Sequence, residues 1–196
     1  MKSKSDTKQR ILDSSLELFA SRGYSGTSMN DIISQVGISK GSVYWHFKSK
    51  EEIFVRVLTT NYAKWIDLIN SELKGIDDPI EKLKKYGELF ISTVEMPIWR
   101  IAPETYWNEF SEENQKILDK CFSLDDEIIL NIFNDALDKG LLKYEDTKKL
   151  TWFYISSLEG MFEKVILSYK SKDGDRKKAE DYAVSAISFF LDTITV

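Results

Sequence analysis

Met29, Ile32, Ile33 and Val36 stand at i, i+3, i+4 and i+7, the spacing of one helical face, and the pattern stops at Gly37. After Ile38 and Ser39 a second short segment begins, Lys40–Phe47, in which Val43 and Phe47 share a face at i and i+4. A helix, a tight glycine turn and a second short helix make a helix-turn-helix. Thr27 or Ser28, with Asn30 or Asp31 three residues on, is an N-cap pattern for the first helix, and Ser39 caps the second. No other feature constrains the chain as strongly. A helix as short as the second is unstable alone in water, so Val43 and Phe47 must anchor it to its neighbours. Lys40, Gly41, Ser42, Tyr44, Trp45 and His46 are then left facing outward or at the edge.

The rest of the chain also reads as helix, with no strand-type alternation and no internal repeat. Thr7–Arg22 places Leu12, Leu16, Phe19 and Ala20 on one face and ends at Gly23. Ser49 caps a long helix with Glu51 and Glu52 in its first turn, where the dipole favours them. That helix carries Phe54, Leu58, Trp65 and Ile69 to about Leu73 and breaks between Gly75 and Pro79. A helix from Pro79 to about Glu95 follows, then a proline-marked irregular stretch, Met96–Pro103, and a short helix, Glu104–Phe110. A long helix runs from about Glu112 to Lys139, ended by Gly140. Two more, about Asp146–Lys170 and Arg176–Ile194, flank a polar turn at Ser171–Asp175.

The predicted fold class is therefore all-α. An N-terminal three-helix helix-turn-helix domain, residues 1–50, precedes a helical bundle, residues 51–196. In the last two helices Leu150, Trp152, Phe153, Ile155, Leu158, Met161, Phe162, Val165, Ile166 and Tyr169, and then Val184, Ile187, Phe189, Phe190, Leu191 and Ile194, cover more than one face. A helix apolar on two faces needs two partners. A second copy of the chain in a two-fold contact is favoured over a pair buried inside a monomer.

Composition narrows the function. With 42% hydrophobic and 13% aromatic residues, the 196-residue chain can build a core and is not disordered. Its net charge of −5 is uneven. Residues 1–50 carry eight basic and four acidic side chains; the remainder carries 19 and 28. A basic end on an acidic protein suggests a polyanion site there, the alternative being a solvated tail. No run of about 18 apolar residues offers a membrane span. The basic start, Met1–Asp6, lacks the apolar run of a secretory signal. Cys121 stands alone, which suits a reducing cytosol and a buried thiol, so a cytoplasmic location is expected. His46 is the only histidine, which excludes a Cys/His zinc site within one chain and restricts any Ser-His-Asp triad to His46. There is no phosphate loop or dinucleotide fingerprint. The pairs Asp125–Asp126 and Glu112–Glu113 are helical neighbours that point apart and read as solvated. Neither enzymatic activity, nor a metal, nor a cofactor is expected.

The outward set on the second short helix, polar with aromatics, suits the major groove of double-stranded DNA, which admits one α-helix. Lys48 and Lys50 follow where a phosphate strand would pass. The N-terminus of the preceding helix, near Thr27 and Ser28, presents backbone N–H groups to another phosphate.

The run from Thr27 to Phe54 resembles the DNA-binding domain of TetR-family transcriptional regulators, and Ile11–Tyr24 resembles that family's first helix. The similarity spans about residues 7–58 and rests on three features together: Gly37-Ile-Ser-Lys-Gly41, Tyr44-Trp-His-Phe47 and Ser49-Lys-Glu51. Ile33 departs from the commoner alanine but suits the same apolar slot. The resemblance implies that Thr27, Ser28, Tyr44, His46, Lys48 and Lys50 contact mainly phosphates. It implies that Ser39, Lys40, Gly41, Ser42 and Trp45 meet base edges or nearby backbone. It further implies a homodimer joined through the last two helices, and a small-molecule pocket inside the bundle.

Two recognition helices about 34–36 Å apart would read a palindromic operator. A ligand that tilts the fourth helix would then release a repressor. Candidate ligand-binding residues are Trp65, Tyr86, Phe90, Trp99, Arg100, Tyr106, Trp107, Phe122, Trp152 and Phe162, each with plain core or surface pairing as its alternative. Met96–Pro103 is a candidate pocket wall. Arg100 either meets an anionic ligand group or pairs with Glu95, Glu104 or Glu109. A small hydrophobic effector of fatty-acyl type is expected. The alternatives are a cationic lipophile held by carboxylates such as Glu159 and Glu163, or a protein partner in place of a ligand.

Overall fold

The computed structural model describes residues 4–170 and 175–196, and these are helical almost throughout. The helices are α1 (Lys4–Arg22), α2 (Met29–Val36), α3 (Lys40–His46), α4 (Lys50–Leu73), α5 (Pro79–Ser92), α6 (Ile98–Ile101), α7 (Glu104–Trp107), α8 (Glu112–Asp138), α9 (Thr147–Lys170) and α10 (Arg176–Ile194). The all-α expectation holds. The Ser171–Asp175 turn lies outside the described residues except for Asp175, whose carboxylate caps α10 by accepting the Lys178 N–H at 3.0 Å.

Local chemistry explains the boundaries. Ser28 and Asp31 form a capping box at the start of α2, and Gly37 ends it at φ 69°, a left-handed conformation that favours glycine. Asp78 caps α5 through Ile80 N–H and Glu81 N–H, with Pro79 in the first turn, where its missing N–H is no loss. Met96–Pro103 departs from expectation. It is not irregular throughout but holds the single turn α6, because Pro97 and Pro103 sit just before α6 and α7, where proline starts a helix rather than breaking one.

The chain divides into two compact units. The first runs through Trp65 and takes in Met96–Cys121. It is thus larger than the 1–50 segment read from the sequence. Its core holds Ile11, Leu12, Leu18 and Phe19 of α1, Ile32 and Val36 of α2, Val43, and Ile53, Phe54 and Leu58 of α4. The α1 stripe is rotated from the expected one: Ile11, Ser15 and Leu18 are buried, whereas Leu16 and Ala20 are half-buried. α6 packs on α1 with Ile98 and Ile101 buried.

The second unit comprises Ile66–Glu95 and the described residues from Phe122 onward. Here α5 packs against α9 and α10 around Leu83, Tyr86, Tyr154, Leu158, Ile187 and Leu191. Gly87 permits that approach, since a Cβ there would stand 2.7 Å from the Tyr154 hydroxyl and 2.8 Å from Ile187 Cδ1. The buried Tyr154 hydroxyl donates to the Leu83 carbonyl, and burial raises its pKa strongly. Gly87→Ala should overpack this seam and lower unfolding stability by about 1–3 kcal/mol, read as a reduced denaturant midpoint.

Candidate nucleic-acid interface

Val43 and Phe47 are the buried side of α3, at 0% and 1% exposure, as their spacing requires. The turn before them is held from behind: Arg10 Nη2 donates to the Val36 carbonyl at 3.1 Å. Ser39 caps α3, its hydroxyl accepting the Ser42 N–H at 3.2 Å. This fixes the opposite side of α3. Lys40, Gly41, Tyr44 and Trp45 are exposed, and Ser42 and His46 are partly so. The Lys40 ammonium lies 5.7 Å from the centre of the Tyr44 ring. Trp45, at 57% exposure, meets the His46 ring edge-on at 4.6 Å. Lys48 is exposed just beyond.

Three positions expected to meet phosphate are engaged elsewhere. Thr27 is buried, and its hydroxyl donates to the Gly23 carbonyl at 2.8 Å, closing the α1–α2 turn. Lys50 turns inward, with Nζ 2.8 Å from the Tyr24 carbonyl and 4.1 Å above the Tyr24 ring. Burial lowers its pKa, and the nearby Glu104 carboxylate opposes that shift. Ser28 bonds Asp31 through both its hydroxyl and its N–H, and these bonds hold the Asp31 carboxyl below its usual range. The N–H groups of Ser28 and Asp31 are therefore already partnered at this helix end. Ser39, Lys40, Gly41, Ser42, Tyr44, Trp45, His46 and Lys48 remain as one continuous outward stretch.

The ten candidate ligand residues are divided between the two units. In the first unit, Trp65 is buried edge-on to Trp99 at 5.4 Å, while Arg100, Tyr106 and Trp107 are exposed. In the second, Tyr86, Phe90 and Phe162 form a run, with centroids 6.5 Å and 5.1 Å apart. Phe122 is half-buried on α8. Trp152, at 74% exposure, borders two open surface grooves, of about 470 and about 610 Å³. Met96–Pro103 lies in the first unit and contributes Ile98 and Ile101 to its core.

Asp125 corrects the reading of its pair as solvated. It is 8% exposed and accepts the Tyr86 hydroxyl at 2.7 Å, whereas Asp126 faces out. The signal was present: Leu118, Cys121, Asp125, Ile129 and Ile132 form one stripe, and its other members are apolar. Cys121 is buried, as expected. Among the described residues, no group of three or more His, Cys, Asp or Glu could hold a metal, and no helix is long and apolar enough to cross a membrane.

Residues 11–57 match the model of the bacterial regulatory proteins, tetR family. Over 94% of its length the chain is 28% identical to the biofilm operon negative transcriptional regulator IcaR of Staphylococcus epidermidis, covering 98% of that protein. A Saccharomonospora viridis protein described as a transcriptional regulator, solved in complex with choline, superposes with a TM-score of 0.84 at 21% identity, over 98% of this chain and 100% of that one. AibR, solved with isovaleryl coenzyme A and operator DNA, superposes with a TM-score of 0.74 at 19% identity, over 92% and 97%.

Lys48→Ala should weaken binding to duplexes of every sequence and reduce the slope of log affinity against log salt by about one unit. Lys50→Ala should leave that slope unchanged and lower thermal stability, because its ammonium already serves Tyr24. Salt titrations on one duplex, with a melting curve for each variant, separate the two roles.

Proposed function

We propose that this chain, a TetR-family DNA-binding transcriptional regulator by its residues 11–57, is a homodimeric repressor of a palindromic operator, released by a small hydrophobic ligand. The carrying observation is the outward stretch from Ser39 to Lys48 on a helix too short to stand alone yet anchored by two buried side chains. Such a helix has polar and aromatic groups to give to base edges and a cation to give to the flanking phosphate. Repression is favoured by the likeness to IcaR, a negative regulator along nearly its whole length.

Dimerisation is supported by what α9 and α10 leave uncovered. Trp152, Phe153 and Leu167 on α9, and Tyr182 and Phe189 on α10, are large apolar side chains at 52–77% exposure. Aromatic surface of this extent on two adjacent helices favours burial against a second copy. Gly160, exposed on α9 with nothing within 4 Å of where a Cβ would stand, would let a partner helix approach. The paired substitution Trp152→Glu and Phe189→Glu should yield a folded monomer by light scattering. Its affinity for a two-half-site duplex should fall at least about tenfold, because each head then binds alone.

The effector reading rests on the Tyr86–Phe90–Phe162 run in the second unit, which suits an apolar chain. AibR sets a precedent of acyl-coenzyme A type. A second reading, a cationic lipophile, is favoured by one observation, the buried Asp125 carboxylate beside those rings; the choline-bound neighbour is its precedent. Palmitoyl-coenzyme A and tetraphenylphosphonium can be titrated into the protein bound to a duplex selected from a random pool. Release by the first supports the acyl reading. Release by the second, abolished in Asp125→Asn, supports the cationic one. Release by neither, with native mass spectra free of small molecules, defeats both in favour of a protein partner.

A further inference from the structure

The outward side of α3 has a marked chemical bias. Between Ser39 and Lys48 the chain holds no Arg, Asn, Gln, Asp or Glu. Those side chains supply most of the hydrogen bonds by which a helix distinguishes one base from another in the major groove. Of the polar groups on the stretch, the Ser39 hydroxyl already accepts the Ser42 N–H, and the Lys40 ammonium lies 5.7 Å from the centre of the Tyr44 ring. The largest exposed apolar surface on α3 belongs to Trp45, at 57% against 36% for Tyr44.

Its position is equally specific. Successive helical residues turn by about 100°, so Gly41 and Trp45 both lie within about 20° of the direction opposite the buried Val43. They stand at i and i+4, one turn apart on the same outward face. Neither conformation nor space requires glycine at 41. It lies in ordinary helix and is not among the glycines of positive φ. Apart from its chain neighbours and the helix backbone, no atom comes within 4 Å of where a Cβ would stand. Alanine would fit there and forms helix more readily. A glycine that the chain itself does not need suits a surface that another body approaches closely. One turn on, the His46 ring meets the Trp45 ring edge-on, at 4.6 Å and 87°, and limits the swing of the indole.

An indole carries a single N–H donor on an otherwise apolar ring. The major groove offers such a ring one apolar group, the 5-methyl of thymine. We propose that Trp45 is a specificity-determining residue: its ring takes the 5-methyl group of a thymine in the operator half-site, and Gly41 is the gap that lets the base edge approach. The proposal rests on the reading of α3 as the helix that enters the major groove. It makes recognition at this position apolar, whereas Lys48 supplies attraction common to every sequence.

The test uses the full-length protein and a duplex that it selects from a random pool. Affinities are measured at low salt, so that weakened variants still bind. Each thymine of one half-site is replaced in turn by deoxyuridine, which removes the methyl group and leaves the base pair intact. At one thymine, or two adjacent ones, the wild type should lose about fourfold in affinity, the scale of burying one methyl-sized group. Trp45→Ala should show no loss at that same thymine. Gly41→Ala should melt at the wild-type temperature or above it, yet bind the selected duplex at least about tenfold more weakly. A wild type that tolerates deoxyuridine at every thymine overturns the proposal, as does a selected half-site without thymine. So does a deoxyuridine penalty that survives in Trp45→Ala, since another group then holds the methyl. Gly41→Ala that binds as tightly as the wild type overturns the role given to Gly41. A wild type that binds no duplex at all defeats the reading of α3 itself, an outcome distinct from the others.

Discussion

The outward face of α3 depends on the burial of two side chains. α3 is seven residues long, and a helix of that length has no stability of its own in water. Val43 and Phe47 supply what propensity cannot. Full burial of side chains of this size contributes roughly 1.5–3 kcal/mol each, comparable with the net stability margin of a small domain. The glycine turn makes the burial possible, because Gly37 at φ 69° reverses the chain where a β-carbon would strain it. Arg10 then holds the Val36 carbonyl from α1. The outward residues of α3 are free to be polar and aromatic because the inward pair already holds the helix.

The fold was largely legible because its signals are local. Caps at Ser28, Ser39 and Ser49, and stops at Gly37 and Gly140, act within a turn of the residue that carries them. Leu12 and Phe19 of the expected α1 stripe are buried while Leu16 and Ala20 are half-buried, for a physical reason: Ser15 is buried with its hydroxyl donating to the Ile11 carbonyl at 2.6 Å, so a polar residue sits on the inner face. The site was less legible. Lys50 and Thr27 are expected DNA contacts in sequence, and the structure also engages both: Lys50 with a ring and a carbonyl of Tyr24, distant in sequence, and Thr27 with the Gly23 carbonyl one turn back. Asp125 was hidden by its neighbour Asp126, since a pair of acids suggests a solvated surface unless the helical stripe is followed. By sequence, Glu51 compensates the dipole of its own helix. Its carboxylate does compensate a dipole, but that of α8, sixty residues away in sequence.

Charge orders these parts. The chain is acidic overall, and the excess lies outside residues 1–50. A polyanion is repelled by most of such a surface and attracted by the end that carries Lys40 and Lys48, so electrostatics restricts the orientation of encounter before any base is touched. Asp31 is a carboxylate near that end, yet it is occupied by Ser28 and faces Arg22 at 3.4 Å. An exposed pair of that length adds little stability. Its effect is to compensate the negative charge of Asp31.

A ligand can move the reading head only as far as it binds two arrangements of the protein unequally. Differential binding needs groups whose surroundings change, and the second unit holds one such group in its interior. A buried carboxylate with a tyrosine donor is costly to leave uncompensated in an apolar interior. A cation brought beside Asp125 would be stabilised most in whichever arrangement keeps that carboxylate dry, and an apolar chain would favour whichever arrangement parts the rings of Phe90 and Phe162. The two ligand classes therefore act on different terms of the same equilibrium.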